Sequence, residues 1–351
     1  MLKRSVLIFF VCVLTFFSCV SQTVVRKGAM PAWVNNVYSM FNESQFVAAT
    51  GYGADRAAAE ANALAALTAF FGQTVQIDRS AASFYRQAIT DGVMDGWVDT
   101  AEMRTNIRST STFDNLMGAE IKEVWFDSKD LYYAAAVIEK SKGIKIYSEL
   151  IKANQNIINN LVSMTSAEKN SMEGALRYRF AAAAADINVF YRNIVILLGG
   201  KTDDTNSGDY FRLEAQNIIK SIPVHIRIMN DRNGRIFSAF AGCFADWGFE
   251  TAAIVPPARE TAFRYALDVN ISLSPVELPA NPNIFSRIEL TANLTDTHNN
   301  HILIPYSFNS REGHATRSEA ENRCVLAAER NIGDVFANML NDCLTRLRPK
   351  N

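Results

Sequence analysis

The chain has 351 residues, of which 48% are hydrophobic and 20% are charged, and its formal net charge is −1. This length exceeds one average domain, and this composition is that of a globular protein with a large buried core. Acidic and basic residues are interspersed along the chain. Charge therefore gives no reason to expect nucleic acid as a partner.

The first nineteen residues have the pattern of an export signal. Two basic residues, Lys3 and Arg4, precede an apolar run at residues 6–17. Such a run is too short to span a bilayer, which takes about 20 residues. The run ends in Phe16-Phe17-Ser18-Cys19, which resembles a bacterial lipobox with phenylalanine where leucine is usual.

The lipobox resemblance implies cleavage before Cys19 and diacylation of its sulfur. Each buried methylene group contributes about 0.8 kcal/mol, so two or three acyl chains such as palmitate hold a protein durably in a membrane. We therefore predict a signal peptide at residues 1–18, a polar tether at residues 19–30 and a periplasmic body attached to the outer membrane. The alternatives are a secreted protein cut near Ser21 and an uncleaved anchor.

Residues 31–139 are predicted to form an α+β module of strand, helix and antiparallel meander. An apolar strand at residues 46–50 is followed by a glycine turn at residues 51–53 and an alanine-rich helix that Asp55 caps. Leu64, Leu67 and Phe71 share one face of this helix. Three further strands are predicted at residues 103–113, 121–126 and 131–138, the last two joined as a hairpin. Trp33, close to Pro31, is predicted to cover the sheet rather than to form a ligand site.

Residues 140–198 are predicted to form a long antiparallel helical hairpin. Apolar residues recur in two heptad-like stripes, as in a coiled coil, and the sequence from Thr165 to Glu168 has the form of a capping box. We interpret the stripes as packing surfaces. The alternative is a partner-binding arm, which would leave part of an apolar stripe exposed, with Ile144, Ile146, Ile157 and Ile158 as the candidates.

Residues 199–220 are predicted to be a linker, and residues 221–351 a second α+β module. Its predicted strands lie at residues 224–228, 265–273, 288–294 and 302–308, and Pro305 assigns the last to an edge or a bulge. A turn is predicted at residues 230–234, and the helix that follows it is predicted to end at Gly248. A closing helix at residues 316–346 is predicted to bury Ala320, Cys324, Ala328, Ile332, Val335, Met339 and Cys343.

The predicted fold class is therefore α+β, with two antiparallel-sheet/helix sandwich modules separated by the hairpin. We predict no catalytic residues, cofactor or metal site, because the motifs of hydrolases, zinc proteases and Cys-x-x-Cys proteins are absent from the sequence. His298 and His301 fall in a predicted turn with no completing ligands nearby. Cys243, Cys324 and Cys343 are predicted to be buried thiols, with a disulfide from Cys243 as the alternative.

Several short motifs together carry a family resemblance. The lipobox, the sequence Pro31-Ala32-Trp33-Val34, and residues 49–53 leading into a helix with Glu60-Ala61 resemble the LPP-twenty family of bacterial lipoproteins. This module is also similar to the N-terminal domain of the flagellar ring protein FlgT. The resemblance covers about residues 28–140, and it implies an envelope module without a known active site.

The predicted function is that of a non-enzymatic, lipid-anchored envelope protein that acts through protein contacts in an envelope or flagellar-associated structural role. Its predicted partners are the membrane, through the lipid on Cys19, and other envelope proteins. The first alternative is a periplasmic binding module for a glycan or other small molecule, with Trp125 and Trp247 as stacking aromatics. An enzyme is the third candidate.

Overall fold

The computed structural model describes residues 25–74, 79–91, 97, 116–127, 129–203, 205–254, 263–278 and 281–346. The predicted signal peptide, Cys19 and the predicted strand at residues 103–113 lie outside these ranges. The chain divides into two compact units, a smaller one of residues 1–69 and 119–139 and a larger one of residues 70–118 and 140–351.

The smaller unit contains a four-stranded mixed sheet. Its strands are β1 (Val25–Lys27), β2 (Phe46–Gly53), β3 (Ala119–Phe126) and β4 (Tyr132–Glu139), in the order β1-β3-β4-β2. Strand β4 pairs antiparallel with β2 and β3, whereas β1 pairs parallel with β3. Its helices are α1 (Ala32–Asn35), a 3-10 turn (Val37–Ser39) and residues 56–69 of α2 (Arg56–Thr74). The predicted tether at residues 19–30 therefore contains an edge strand.

Two glycines bring α2 close to β2. A turn was expected at residues 51–53, but β2 continues through Gly53. A Cβ atom on Gly51 would lie 2.1 Å from the backbone nitrogen of Ala63, and one on Gly53 would lie 2.6 Å from the Cβ of Ala58. Glycine is needed here because helix and strand approach backbone to backbone. The predicted cap is confirmed, since Asp55 Oδ1 accepts a hydrogen bond from the Ala58 amide at 2.8 Å.

The opposite face of this sheet is covered by the segment that contains α1. Trp33 and Phe41 are buried there in a cluster with Trp125, Ala135 and Val137. The predicted role of Trp33 in packing over the sheet is confirmed. On α2, the buried face consists of Ala59, Ala63, Leu67 and Phe71, and Leu64 is half-buried.

The larger unit joins a layer of helices to a five-stranded mixed sheet. Its strands are β5 (Val224–Met229), β6 (Thr251–Ile254), β7 (Tyr265–Val276), β8 (Ile284–Asp296) and β9 (His301–His314), in the order β6-β5-β7-β8-β9. Its helices are α3 (Arg79–Thr90), α4 (Lys140–Val162), α5 (Ser166–Lys169), α6 (Met172–Leu197), α7 (Gly208–Ser221), α8 (Arg235–Ala245), α9 (Arg317–Asn331) and α10 (Ala337–Thr345).

The α+β class is confirmed, but neither sheet is purely antiparallel. In the larger unit β5 pairs parallel with both β6 and β7, and β7, β8 and β9 pair antiparallel. Strand β9 is an edge of the sheet, as Pro305 predicted. The smaller sheet is mixed because β1 joins its edge in parallel with β3, and the larger sheet is mixed because β5 runs parallel to both β6 and β7.

Helix α6 is the central helix of the larger unit. Helix α4 lies antiparallel to it, since the Arg177 side chain donates to the Leu161 carbonyl and the Asn188 side chain donates to the Ile151 carbonyl. Helix α6 is long and apolar enough to cross a membrane. However, 61% of its most apolar 18-residue stretch is buried within the protein. It therefore has the burial expected of a core helix.

The apolar stripes of residues 140–198, all of which the structure describes, are packed rather than exposed. Ile157 and Ile158 are each 2% exposed. Ile144 and Ile146 are half-buried, and the strongly exposed large apolar side chain of this segment is Ile196. The partner-arm alternative therefore loses the exposed stripe on which it depended.

The predicted linker at residues 199–220 contains helix α7. Its buried residues Phe211, Ala215 and Ile218 have the spacing of a helix face. Phe211 packs beside Tyr178 of α6, with ring centroids 6.4 Å apart. Helix α7 was missed because the polar composition of residues 199–209 outweighed the apolar periodicity that follows.

The closing helix changes its buried face at a π-helical turn, Ile332–Phe336, between α9 and α10. The first half buries Ala320, Cys324, Ala328 and Ile332 as predicted. Beyond the turn, however, the buried residues are Phe336, Leu340 and Leu344 instead of Val335, Met339 and Cys343. A π turn holds more residues than an α turn, so it moves the core-facing stripe by one position.

The strand β7 is tied to the helical layer by two side chains at its start. The Tyr265 hydroxyl accepts a hydrogen bond from the Met172 amide at 2.9 Å, at the beginning of α6. Arg264 Nη1 donates to the carbonyls of Ala167 and Asn170 at 2.5 and 2.7 Å. These contacts join the helices and the sheet within the larger unit.

Ser171 caps the central helix, and we expect its removal to destabilise the larger unit. Ser171 Oγ accepts a hydrogen bond from the Gly174 amide at 2.8 Å, and Ser171 is 4% exposed. The Ser171→Ala variant should lose about 1 kcal/mol in unfolding free energy, measured by urea denaturation. The control is Ser163→Ala at an exposed position, and an equal loss in both variants would contradict the capping role.

Candidate functional site

A crevice with a volume of about 310 Å³ lies beyond the carboxyl end of β5. It opens between the loop after β5, strand β7 and the first turns of α9. Its lining residues are Asn230, Asp231, Asn233, Arg235, Ile236, Ile271, Leu273, Ser318, Glu319, Glu321, Asn322 and Val325.

The strand order explains why a crevice forms at this place. The chain leaves β5 through α8 and returns as β6 on one side, whereas β7 lies on the other side of β5. The connection after β5 thus runs to the side of β5 opposite β7. In open α/β sheets, ligands bind in crevices outside the carboxyl ends of strands where connections diverge in this way.

The rim of the crevice is a tight loop held in unusual backbone conformations. Asn230, Asn233 and Gly234 have φ values of 66°, 80° and 67°. Asparagine and glycine adopt the left-handed region more readily than other residues. The Asp231 carboxylate accepts from the Phe237 amide at 2.8 Å, so it caps α8 and fixes the loop.

The charges in the crevice are largely paired. Arg235 Nε lies 2.6 Å from Glu329 Oε1, and its Nη1 lies 2.7 Å from Asn322 Oδ1. Hydrogen bonding to Glu329 raises the pKa of Arg235. Glu321 pairs with Arg317 at 2.9 Å. None of the lining residues is histidine or cysteine, and the crevice offers amide, hydroxyl and carboxylate groups for binding.

The aromatic residues considered for sugar stacking are mostly covered. Trp125 is 5% exposed and packs in the Trp33 cluster. Trp247 is half-buried, and the Arg179 guanidinium lies 4.6 Å from its ring centroid. Tyr52 is 65% exposed at the end of β2. Trp125 is thus unavailable to a sugar, and one face of Trp247 is occupied by a cation.

The histidine residues singled out from the sequence lie at a surface turn, and the cysteine residues lie in helices. His298 and His301 are exposed around the turn between β8 and β9. Among the described residues no group of three or more potential metal ligands occurs. Cys243 and Cys324 are buried thiols whose pKa is raised by burial, and Cys343 is half-buried.

His225 on β5 should make the larger unit less stable at acidic pH. It is 8% exposed and stacks on Phe263 with ring centroids 3.3 Å apart, and burial lowers its pKa below the ordinary value. The unfolded chain then takes up a proton at a higher pH than the folded chain. The stability that neutral, buried His225 contributes is present above about pH 6.5. It is lost as the pH falls through that value toward the lowered pKa of the folded state.

The check is a comparison of wild type with His225→Leu. Between pH 7 and pH 5 the variant should lose less unfolding free energy than the wild type, because it no longer carries the titrating group. The carboxylates titrate equally in both proteins, so the difference isolates His225. Equal losses would contradict the assigned burial effect.

The crevice was not predicted from the sequence. Its loop residues, Asn230 to Gly234, were interpreted as a simple turn, and the other lining residues come from distant parts of the chain. The available signal was the pair of asparagines and the glycine directly after an apolar strand. The predicted site residue, Cys19, lies outside the described residues.

No protein-family model and no curated protein sequence matches this chain. Solved structures are similar to it at low identity. The secreted protein HP1454 from Helicobacter pylori matches at 12% identity with a TM-score of 0.38, over 83% of this chain and 98% of that chain. A minor lipoprotein from Acinetobacter baumannii matches at 12% identity with a TM-score of 0.24, over 35% of this chain and 90% of that chain. Lipoprotein GNA1162 from Neisseria meningitidis matches at 13% identity with a TM-score of 0.22, over 32% of this chain and 99% of that chain.

Proposed function

We propose that this protein is a lipid-anchored component of the bacterial cell envelope that has no catalytic role and works by binding other envelope proteins. The observation that carries the proposal is the lipobox-like sequence at Cys19, six residues before the first strand begins at Val25. An extended chain spans at most about 3.6 Å per residue, so six residues reach about 20 Å. An acylated Cys19 therefore holds the smaller unit next to the membrane, with the body on the periplasmic side of the outer membrane.

Exposed apolar residues support a role in protein contacts. Tyr210 and Leu213 lie one turn apart on α7 and are 47% and 57% exposed. The other face of the same helix is buried through Phe211, Ala215 and Ile218. Helix α7 therefore packs internally through one apolar face, and the apolar residues on its other face are available to a partner.

The anchor is tested by metabolic labelling with radioactive palmitate. The wild-type protein should incorporate label and partition with membranes, and Cys19→Ala should lose both properties because the acceptor sulfur is gone. The matched control is Cys343→Ala, which removes a half-buried thiol of the body and should leave labelling unchanged. Equal labelling of wild type and Cys19→Ala would overturn the proposal.

A second candidate function is the binding of a small polar ligand, and the crevice beyond β5 favours it. A ligand that binds the native state adds RT ln(1 + [L]/Kd) to stability, about 2.7 kcal/mol at a concentration of 100 Kd. We therefore expect one class among envelope sugars and peptidoglycan fragments to raise the melting temperature. A Ser318→Trp variant, at an exposed lining position, should abolish that rise by filling the crevice. A rise that survives in this variant would place the ligand elsewhere.

A further inference from the structure

The segment from Gly28 to Asn42, here called the lid segment, contains no charged residue in fifteen positions. One residue in five of the whole chain is charged. Three large apolar side chains of this segment are nevertheless exposed: Met30 by 52%, Tyr38 by 37% and Met40 by 48%. The lid segment therefore presents an uncharged surface with apolar side chains directed away from the core.

The lid segment is packed against the sheet, so the backbone that carries these exposed side chains is held in place. Trp33 and Phe41 are 3% and 7% exposed and pack against the sheet of the smaller unit. The Tyr38 amide donates to the Asn36 side chain at 3.1 Å, and the Phe41 amide donates to the Val37 carbonyl at 3.1 Å. The exposure of Met30, Tyr38 and Met40 is thus a feature of a packed structure.

The length of chain before the lid segment restricts what can lie opposite it. Met30 follows Cys19 by eleven residues, a span of about 40 Å at full extension and less because residues 25–27 are held in β1. The sequence also places Arg26 and Lys27 directly before the lid segment. Basic residues next to a bilayer are attracted to anionic headgroups, and uncharged segments with Met and Tyr side chains suit the interface.

We propose that the lid segment is a membrane-docking surface: Met30, Tyr38 and Met40 insert into the headgroup region of the bilayer and orient the smaller unit on it. This inference rests on the proposed lipid anchor at Cys19, which supplies the proximity. The anchor provides attachment, and the docking surface provides a defined orientation. Loss of the docking side chains therefore changes orientation without releasing the protein from the membrane.

The test places an environment-sensitive fluorescent amino acid at position 30, 38 or 40 of the full-length protein, purified from membranes and reconstituted in vesicles of phosphatidylethanolamine and phosphatidylglycerol. Emission should shift to shorter wavelength on reconstitution, and lipids with a doxyl quencher near the headgroup should reduce it. The control position is Ala65, which is exposed on α2, on the sheet face opposite the lid segment. Unshifted emission at all three positions, or equal shifts at Ala65, would overturn the docking surface.

Palmitate labelling of the same samples distinguishes the two proposals. Labelled protein with no emission shift overturns the docking surface and leaves the anchor intact. If label is absent, the chain from residue 19 carrying an N-terminal polyhistidine tag is held on vesicles with nickel-chelating lipid. An emission shift there supports docking without the native lipid, and its absence overturns docking. Crosslinking of the three positions to a protein, in place of lipid quenching, also overturns it.

Discussion

Replacement of Gly51 by alanine is expected to cost about 3 kcal/mol of unfolding free energy, among the largest effects of a single methyl group in this chain. The added Cβ would lie 2.1 Å from the Ala63 nitrogen and 2.5 Å from the Asn62 carbonyl carbon. Both are backbone atoms of α2 and cannot rotate away. The helix must therefore move off the strand, which separates Ala63 and its buried neighbours from the sheet.

The measurement is urea denaturation of wild type and variant, and Gly72→Ala is the matched control. Gly72 lies on the same helix, and a Cβ there would meet nothing within 4 Å. Alanine favours the helix by up to about 1 kcal/mol over glycine, so the control should be neutral or stabilised. A loss below about 1 kcal/mol for Gly51→Ala would contradict the close contact between α2 and β2.

The second large effect is expected at Phe336, in the π-helical turn of the larger unit. Its ring is fully buried and meets Phe240, Tyr306 and Phe244 with centroids 4.8, 5.7 and 5.9 Å apart. These contacts are edge-to-face, the arrangement that aromatic rings prefer. Phe336→Ala should therefore destabilise the unit by about 3–5 kcal/mol through lost burial and the cavity left behind.

The adjacent residue provides the control for Phe336. Val335 is 44% exposed, so Val335→Ala should change the unfolding free energy by less than about 0.5 kcal/mol. The regular α-helical pattern of the sequence predicts the reverse, with Val335 buried. The pair therefore tests the π turn itself, and a larger loss for Val335→Ala than for Phe336→Ala would show that the turn is absent.

Local signals in the sequence predicted local features correctly. The Asp55 cap depends on atoms three residues apart. The capping box at Thr165 and Glu168 is likewise confirmed, because both of its reciprocal hydrogen bonds are present. Such features are visible in a sequence because both partners lie within one turn of the chain.

Features that depend on packing between distant segments were not predicted. Gly51 was assigned to a turn because the proximity of α2 to β2 is a tertiary property. The one-position shift of the buried helix face at Phe336 was not predicted, because a 3.6-residue period assumes an unbroken α-helix. Parallel pairing of β5 with β7 was missed because alternation along a strand gives no information on the direction of its neighbour.

The candidate site also depends on contacts between segments that are distant in the sequence. The crevice is lined by the loop after β5, by Ile271 and Leu273 of β7, and by α9. These three segments are separated by more than thirty residues each, and no local motif joins them. The lid segment was recognised from Trp33 as a cover for the sheet, but the exposure of Met30, Tyr38 and Met40 required the structure.

The most direct test of the central claim is the mass of the protein purified from membranes. The lipid anchor predicts a mature chain that begins at Cys19, with its N-terminal peptide heavier than the peptide alone by a diacylglyceryl group and any further acyl chain on the amine. Tandem mass spectrometry should place that added mass on residue 19. An unmodified peptide that begins at or after residue 19, or an intact chain that retains residues 1–18, would contradict the lipid-anchored account.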